Sequence, residues 1–303
     1  VRATDQVSFF VLAHLMDGLL QYDADNHLAP ALAARWEVRP DGATFWLRRG
    51  ATWEDGAPVT ARDFVYAWRE VLRPANAAPY ASLLYPLQNA RAIVSGDLPV
   101  ESLGVSAPQD YRLELAFGQP CAWFPALTAF MTLLPLRQEF HAAHGARHAA
   151  DAGRLLANGP FRLARWVHGA ELVLEKNPRY WNAGAIRLQR IAVPYMTTDA
   201  QAELNLFLDG RIAMANIAPD SVRQALLERR RLRRFADGYV HFLAFNFREG
   251  RATRSLPLRR AIQAALDPGE IVNHVLRMPG LRPAESLFPT VLRGSERPFI
   301  EEY

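Results

Sequence analysis

Apolar positions along the 303-residue chain switch repeatedly between a helical and an extended period, the pattern of a mixed α/β protein. Leu12, Leu15, Met16, Leu19 and Leu20 share one face of a helix predicted over 7–20. Leu28-Ala29-Pro30-Ala31-Leu32 follows, then a short strand at Trp36-Glu37-Val38, and the Asp41-Gly42 turn lets Thr44 to Arg48 pair back as a hairpin. The most legible stretch is 53–74. Asp55-Gly56 and Pro58 make a turn, and Thr60 and Asp63 stand at capping-box spacing. Phe64, Val65, Trp68, Val71 and Leu72 then fall at helical intervals, and Pro74 ends the helix. Tyr111 to Phe117 alternates as a strand. Phe161 to Val167 and Glu171 to Glu175 form a predicted hairpin around His168-Gly169, closed by an Asn177-Pro178 turn. Asp199 caps a helix carrying Leu204, Phe207 and Leu208, stopped by Gly210. His241 to Phe247 is aromatic-rich and reads as a buried strand, while Asp267, Pro268 and Glu270 open a helix through Leu276.

Composition narrows the function classes. The length suffices for two domains at about 150 residues each, and 50% hydrophobic with 22% charged residues is the balance of a soluble globular protein. The longest apolar segment, Ala122 to Leu136, is broken by Pro125, Thr128, Thr132 and Pro135, so no membrane-spanning helix is expected. The formal charge is +4, carried almost wholly by scattered arginines, Lys176 being the one lysine. That scatter argues against a nucleic-acid partner. The dense run Arg229, Arg230, Arg231, Arg233 and Arg234 reads as a solvated helix end. Cys121, the single cysteine, excludes an internal disulfide and reads as a buried, inert thiol among Trp123, Phe124 and Phe130. The opening residues Val1-Arg2-Ala3-Thr4-Asp5 carry no signal-peptide pattern.

Catalytic constellations are missing. The sequence has no G-x-S-x-G elbow, phosphate-binding loop, dinucleotide fingerprint or H-E-x-x-H pair. His141, His144 and His148 have helical spacing for one face, but Gly145 interrupts that helix and no acidic pair completes a metal set. Glu54 and Asp55 lie in a turn, where solvation explains them. We therefore expect no catalytic residue, no metal site and no cofactor, which leaves an enzyme reading without a mechanism.

The stretch Trp53-Glu54-Asp55-Gly56-Ala57-Pro58-Val59-Thr60-Ala61-Arg62-Asp63-Phe64-Val65-Tyr66-Ala67-Trp68 closely resembles the W-S-[DN]-G-x-P-V-T-A-x-D-F-V-Y-S-W signature of the oligopeptide-binding proteins of ABC importers, the extracellular solute-binding family 5. Further matching blocks follow in the family's order: Pro79-Tyr80-Ala81-Ser82, Asn158-Gly159-Pro160-Phe161, Leu174 to Trp181, Ala244-Phe245-Asn246 and Leu258 to Asp267. The resemblance spans essentially the whole chain. It is less specific for ligand, since dipeptide, nickel, haem and murein-peptide binders share much of it, and the Pro-Tyr-Ala-Ser block favours the oligopeptide or murein-peptide branch.

The resemblance implies an α/β, two-lobed fold of the type II periplasmic-binding-protein kind with an extra small domain. Residues 1–16 and 136–238 would form the first lobe, 17–135 the smaller domain, and 239–303 the start of a second lobe, left incomplete. The chain is expected to be an N-terminal fragment of a periplasmic protein whose signal peptide is removed or absent. Its implied partners are a peptide ligand held by strand-like main-chain hydrogen bonds and a membrane permease, with the protein acting as a monomer. Carried over by position, Thr4, Asp5 and Gln6 match the segment lining the ligand, Tyr80 the tyrosine facing it, and Tyr239, His241 and Phe242 the segment entering the second lobe. Tyr80 also suits a packing aromatic, and Phe242 suits the core better than a contact. Tyr239 stands where some relatives carry a disulfide cysteine, so that staple is not expected. The family's aspartate for the peptide's amino terminus belongs to a part not matched here, which implies weak or no peptide binding by this chain alone. A hydrolase on an α/β scaffold is the alternative from another class.

Overall fold

Capping and turn chemistry fix the first elements. In the computed structural model, which describes residues 3–233, 239–284 and 286–288, helix α1 (Gln6–Leu15) starts at the N-cap Asp5. Strands β1 (Leu20–Tyr22) and β2 (Leu28–Pro30) pair antiparallel as a small ribbon. Strands β3 (Ala33–Arg39) and β4 (Gly42–Leu47) form the expected hairpin, with Trp36 opposite Phe45. Helix α2 (Ala61–Leu72) closes its capping box between Thr60 and Asp63, the Thr60 amide donating to Asp63 Oδ2 at 2.7 Å. After the short helix α3 (Ala90–Ser95) come β5 (Val105–Gln109) and β6 (Arg112–Ala116). They complete a four-stranded antiparallel sheet of order β3-β4-β6-β5. Helices α4 (Phe124–Leu127) and α5 (Gln138–His144) precede a second sheet, β7 (Phe161–Val167), β8 (Glu171–Lys176) and β9 (Arg190–Val193), in that order.

The core lies where α2 packs on the four-stranded sheet. Phe45, Trp53, Phe64, Trp68, Phe124 and Leu133 are buried, each contributing about 1.5–3 kcal/mol by leaving water. The Trp68 indole keeps its polar end satisfied by donating to the Leu133 carbonyl at 3.0 Å. Cys121 is buried in the same core, and burial raises its thiol pKa, in keeping with an inert sulfur.

The chain divides into two compact units, Val1–Met196 and Thr197–Tyr303. The described part of the second is helical: α6 (Ala200–Leu208), α7 (Pro219–Leu227), α8 (Leu256–Ala265) and α9 (Pro268–Glu270), which runs into a π-helical turn Ile271–Leu276. Asp199 caps α6 and Asp267 caps α9 as expected, each carboxylate accepting two backbone amides. Arg229, Arg230, Arg231 and Arg233 follow the end of α7 and are exposed; Arg234 lies outside the described residues. No described helix is long and apolar enough to cross a membrane.

Two expectations are corrected. The helix predicted over 7–20 ends at Leu15, and Met16 is already extended. Its last carbonyl is taken from outside, by the amides of Asn158 at 3.2 Å and Gly159 at 2.8 Å, so the helix stops with that acceptor satisfied. The stretch His241 to Phe247 forms no strand. A strand needs partners for its amides and carbonyls, and no described strand pairs with it.

The junction behind Met16 is the most tightly specified part of the first unit. Asp17 is buried and its Oδ2 accepts from the Tyr180 hydroxyl and from the Trp181 indole, both at 2.9 Å. Asn158 accepts the Asp17 amide at 2.9 Å and donates to its carbonyl at 3.3 Å. Asn177 donates to the Gly159 carbonyl at 3.0 Å. A Cβ on Gly159 would stand 2.7 Å from the Leu15 carbonyl carbon, so the backbones can meet only at glycine. Arg48 stacks over Trp181 at 4.0 Å from the ring centroid, next to the Asp17 charge. Burial raises the Asp17 pKa, and the Trp181 and Tyr180 hydrogen bonds oppose it. Burial and the neighbouring Asp17 carboxylate raise the Tyr180 phenol.

Two predictions follow from this architecture. Tyr180→Phe leaves the Asp17 carboxylate short of one donor and costs about 1–3 kcal/mol of unfolding free energy, while Gly159→Ala costs more because backbone must move. Denaturant unfolding of each variant measures both, and a Gly159→Ala variant as stable as the parent contradicts the close approach. The second concerns Asp63, whose carboxyl burial pushes up to about 6 despite opposing hydrogen bonds from Thr60. Its unfolded value is near the ordinary 3.8, so the folded state holds the extra proton in between. This stabilisation is full below about pH 3.8 and lost as pH rises through about 6. Relative to Asp63→Asn, the parent therefore loses on the order of 2–3 kcal/mol from about pH 3.5 to pH 7, read from unfolding midpoints across that range.

Candidate functional site

The start of α1 and the turn at Tyr80 meet, although 75 residues separate Asp5 from Tyr80 in sequence. Thr4, Asp5 and Gln6 are exposed there. The Asp5 carboxylate accepts from the Ser8 amide at 2.8 Å and from the Ser8 hydroxyl at 2.7 Å, and these bonds hold its pKa below the usual value. Asp5 is extended while Gln6 is already helical, so the helix starts directly after its capping residue.

One turn into α1, the Phe9 ring meets Tyr80 at 6.2 Å and Phe130 at 5.5 Å between centroids. Tyr80 and Phe130 stand edge to face at 5.2 Å and 73°, within the range of favourable aromatic pairs. Tyr80 sits at the N-cap of the 3-10 turn Ala81–Leu84 and is half-buried. Its hydroxyl has no hydrogen-bond partner among the described residues. The packing reading of Tyr80 is thus realised for its ring, with its polar end left over. Sequence reasoning missed Phe9 and Phe130 as its companions, because nothing in a linear pattern links positions 9, 80 and 130.

Tyr239, His241 and Phe242 lie in the second unit, close together along an irregular segment. All three are exposed, Tyr239 at 63% and Phe242 at 66%. Phe242 is therefore no core residue in the described structure, which corrects the reading of it as packing.

Beneath α5 the first unit has a partly open pocket of about 460 Å³, lined by Trp53, Val71, Leu134, Phe140, His141 and His148 among others. The three sequence-predicted histidines do not converge. His144 packs on Phe140 at 4.4 Å, while His141 and His148 stand 5.0 Å apart between ring centroids. Gly145, with φ of 50°, turns the chain between them. His141 shares a 2.7 Å hydrogen bond with the Tyr66 hydroxyl. Burial, then the charges of His141 and His144, lower the His148 pKa to about 4. The described residues that bring three ligand atoms within reach of one ion are instead Asp23, Asp25 and His27, in an exposed turn. Glu54 is half-buried and accepts the Ala157 amide at 3.1 Å, while Asp55 is exposed, as expected, and pairs with Arg137.

These antiparallel hairpins and helices, in this order, define a periplasmic-binding-protein fold of the oligopeptide-binding type, and known proteins share it. The chain belongs to the bacterial extracellular solute-binding proteins of family 5, whose model, described as "Bacterial extracellular solute-binding proteins, family 5 Middle", matches residues 27–303. It is similar to the oligopeptide-binding protein OppA of Bacillus subtilis, 30% identical over 300 residues, covering 97% of this chain and 54% of that protein. It is also similar to the probable deoxycholate-binding periplasmic protein YgiS of Escherichia coli, 32% identical over 302 residues, covering 96% and 55%. Among solved structures, OppA of Burkholderia pseudomallei superposes with a TM-score of 0.83 at 27% identity, over 98% of this chain and 59% of that one. Haemophilus influenzae OppA in complex with RPPGFSPFR gives 0.79 at 28%, over 92% and 55%. The chain spans about half the length of the curated relatives it matches.

The Asp5 cap carries its own expectation. Asp5→Ala removes both contacts to Ser8, so the first turn of α1 frays and the amide of Ser8 exchanges severalfold faster, while α2 is unaffected. Unchanged protection at Ser8 in hydrogen-exchange measurements contradicts the cap.

Proposed function

We propose that this chain is part of the extracytoplasmic solute-binding component of an ABC importer, a binder and not an enzyme, whose ligand is an extended peptide. The observation that carries the reading is the family match over 27–303, together with fold agreement with a relative solved with a peptide in place. The ligand-facing residues are Thr4, Asp5 and Gln6 with Tyr80 in the first unit, and Tyr239, His241 and Phe242 in the second. Exposure of the first three, and a Tyr80 hydroxyl without a hydrogen-bond partner among the described residues, support the assignment. Main-chain groups of an extended ligand hydrogen-bond to such a wall, and water fills around varied side chains.

The lobe division belongs to the same proposal: 1–16 with 136–238 as the first lobe, 17–135 as the smaller domain, 239–303 as the opening of the second. The boundary between compact units at 196/197 falls inside the first of these, so lobe and compact unit are separate descriptions. The protein works as a monomer in the periplasm, hands its ligand to a membrane permease and takes no nucleic acid, in keeping with relatives named as periplasmic binding proteins. A steroid-like acid is the second reading, favoured by one observation, the 32% identity to a relative named for deoxycholate. The divergent histidines give no support to a nickel or haem ligand.

Calorimetric titration of this chain, and of the gene product between its natural ends, with mixed peptides of about three to five residues separates these readings. The longer protein is expected to bind, this chain weakly or not at all, and Tyr80→Ala to weaken the longer protein's binding about tenfold. Heat with deoxycholate but with no peptide selects the second reading. No heat with either sets both aside.

A further inference from the structure

We infer that Phe9 and Phe130 are positioning residues that hold the Tyr80 ring in one orientation and so set the strength of ligand binding at that side chain. The inference rests on the peptide-binding reading above.

Tyr80 stands on a short 3-10 turn after Pro79, a setting that by itself leaves its two side-chain torsions free. Its ring is instead held from two directions. Phe130, at the N-cap of the 3-10 turn Met131–Leu133, meets it edge to face at 5.2 Å. Phe9 on α1 meets both rings, at 6.2 Å and 5.5 Å. The three rings thus form a closed triangle drawn from three separate elements. A half-buried ring in such a triangle has its apolar surface engaged while its hydroxyl, without a partner among the described residues, is left to an incoming polar group. Fixing the ring before the ligand arrives lowers the ordering cost that binding must otherwise meet.

Phe9 reaches the triangle because α1 ends where it does. The Leu15 carbonyl is fixed by Asn158 and Gly159, and Phe9 lies on the same rigid helix, so the junction at Asp17 sets the position of one of the three rings. The other two ride on turns flanking the core: Leu84 and Leu133, at the ends of those turns, are both fully buried. The geometry leaves little freedom for the triangle to open.

The test uses the gene product between its natural ends, with peptide affinity measured by calorimetry well below each variant's melting temperature. Phe130→Leu removes one ring and keeps apolar bulk; it is expected to weaken binding roughly threefold to tenfold, the range of one aromatic pair. Phe130→Tyr, which keeps the ring, restores affinity. In a Tyr80→Ala background Phe130→Leu has no further effect, because it acts through Tyr80. Phe9→Leu behaves like Phe130→Leu and stands in for it if that variant does not fold. Equal losses in the parent and Tyr80→Ala backgrounds overturn the inference, since they reveal general loosening instead of positioning. Tyr80→Ala weakening binding while neither leucine variant does so overturns it as well, and leaves the peptide reading intact. If the parent binds no peptide at all, both fall together.

Discussion

The buried Asp17 carboxylate is the constraint on which the first unit depends. A charge out of water is tolerated only where donors replace its hydration, and here two aromatic side chains, Tyr180 and Trp181, supply them. Those donors come from the turn after β8, 163 and 164 residues away in sequence. Satisfying one carboxylate therefore ties the first helix to the second sheet. The Asn158 and Asn177 side chains finish the junction by bonding the Asp17 amide and the Gly159 carbonyl, and the Asn158 and Gly159 backbone amides donate to the Leu15 carbonyl. Removing one partner leaves a buried polar group unpaired, so the assembly stands or fails as a unit.

This junction changes the meaning of the blocks that identify the family. Asn158-Gly159-Pro160-Phe161 and Asn177-Pro178-Arg179-Tyr180-Trp181 meet at Asp17, not at the residues proposed to face the ligand. Trp53 and Asp63 of the tryptophan-rich signature are interior, packing and capping α2. The residues that mark the family most strongly build its scaffold. That is consistent with relatives sharing the scaffold while their names range from oligopeptide to dipeptide, murein peptide and deoxycholate. The fold alone does not specify the ligand.

The aromatic triangle shows how scaffold and site are linked. Phe9 is placed by α1, α1 by its fixed C-terminal carbonyl, and that carbonyl by Asn158 and Gly159. Rigid elements carry position better than loops do. A small shift at the junction would therefore reach Tyr80 through a helix of ten residues.

The amino-acid sequence by itself determined whatever depends on neighbours within a few residues. The Thr60–Asp63 cap, the Asp199 and Asp267 caps, the Asp41-Gly42 hairpin and the strands at 112–116, 161–167 and 171–176 all follow from local spacing and hydrogen bonding. The family, too, was legible, because its blocks are local strings. Tertiary structure decided the rest. Apolar spacing carried the first helix to Leu20, but a glycine 144 residues beyond Leu15 arrives to donate its amide to the Leu15 carbonyl. An aromatic-rich run at 241–247 reads as a strand, yet a strand exists only where another chain segment offers its ladder. Three histidines at helical spacing form no single ligand set, because His144 packs on Phe140 while the His141 and His148 rings meet each other. Tyr80 acquires Phe9 and Phe130 only on folding, because a contact between sequence-distant residues is set by packing and leaves no periodicity to read.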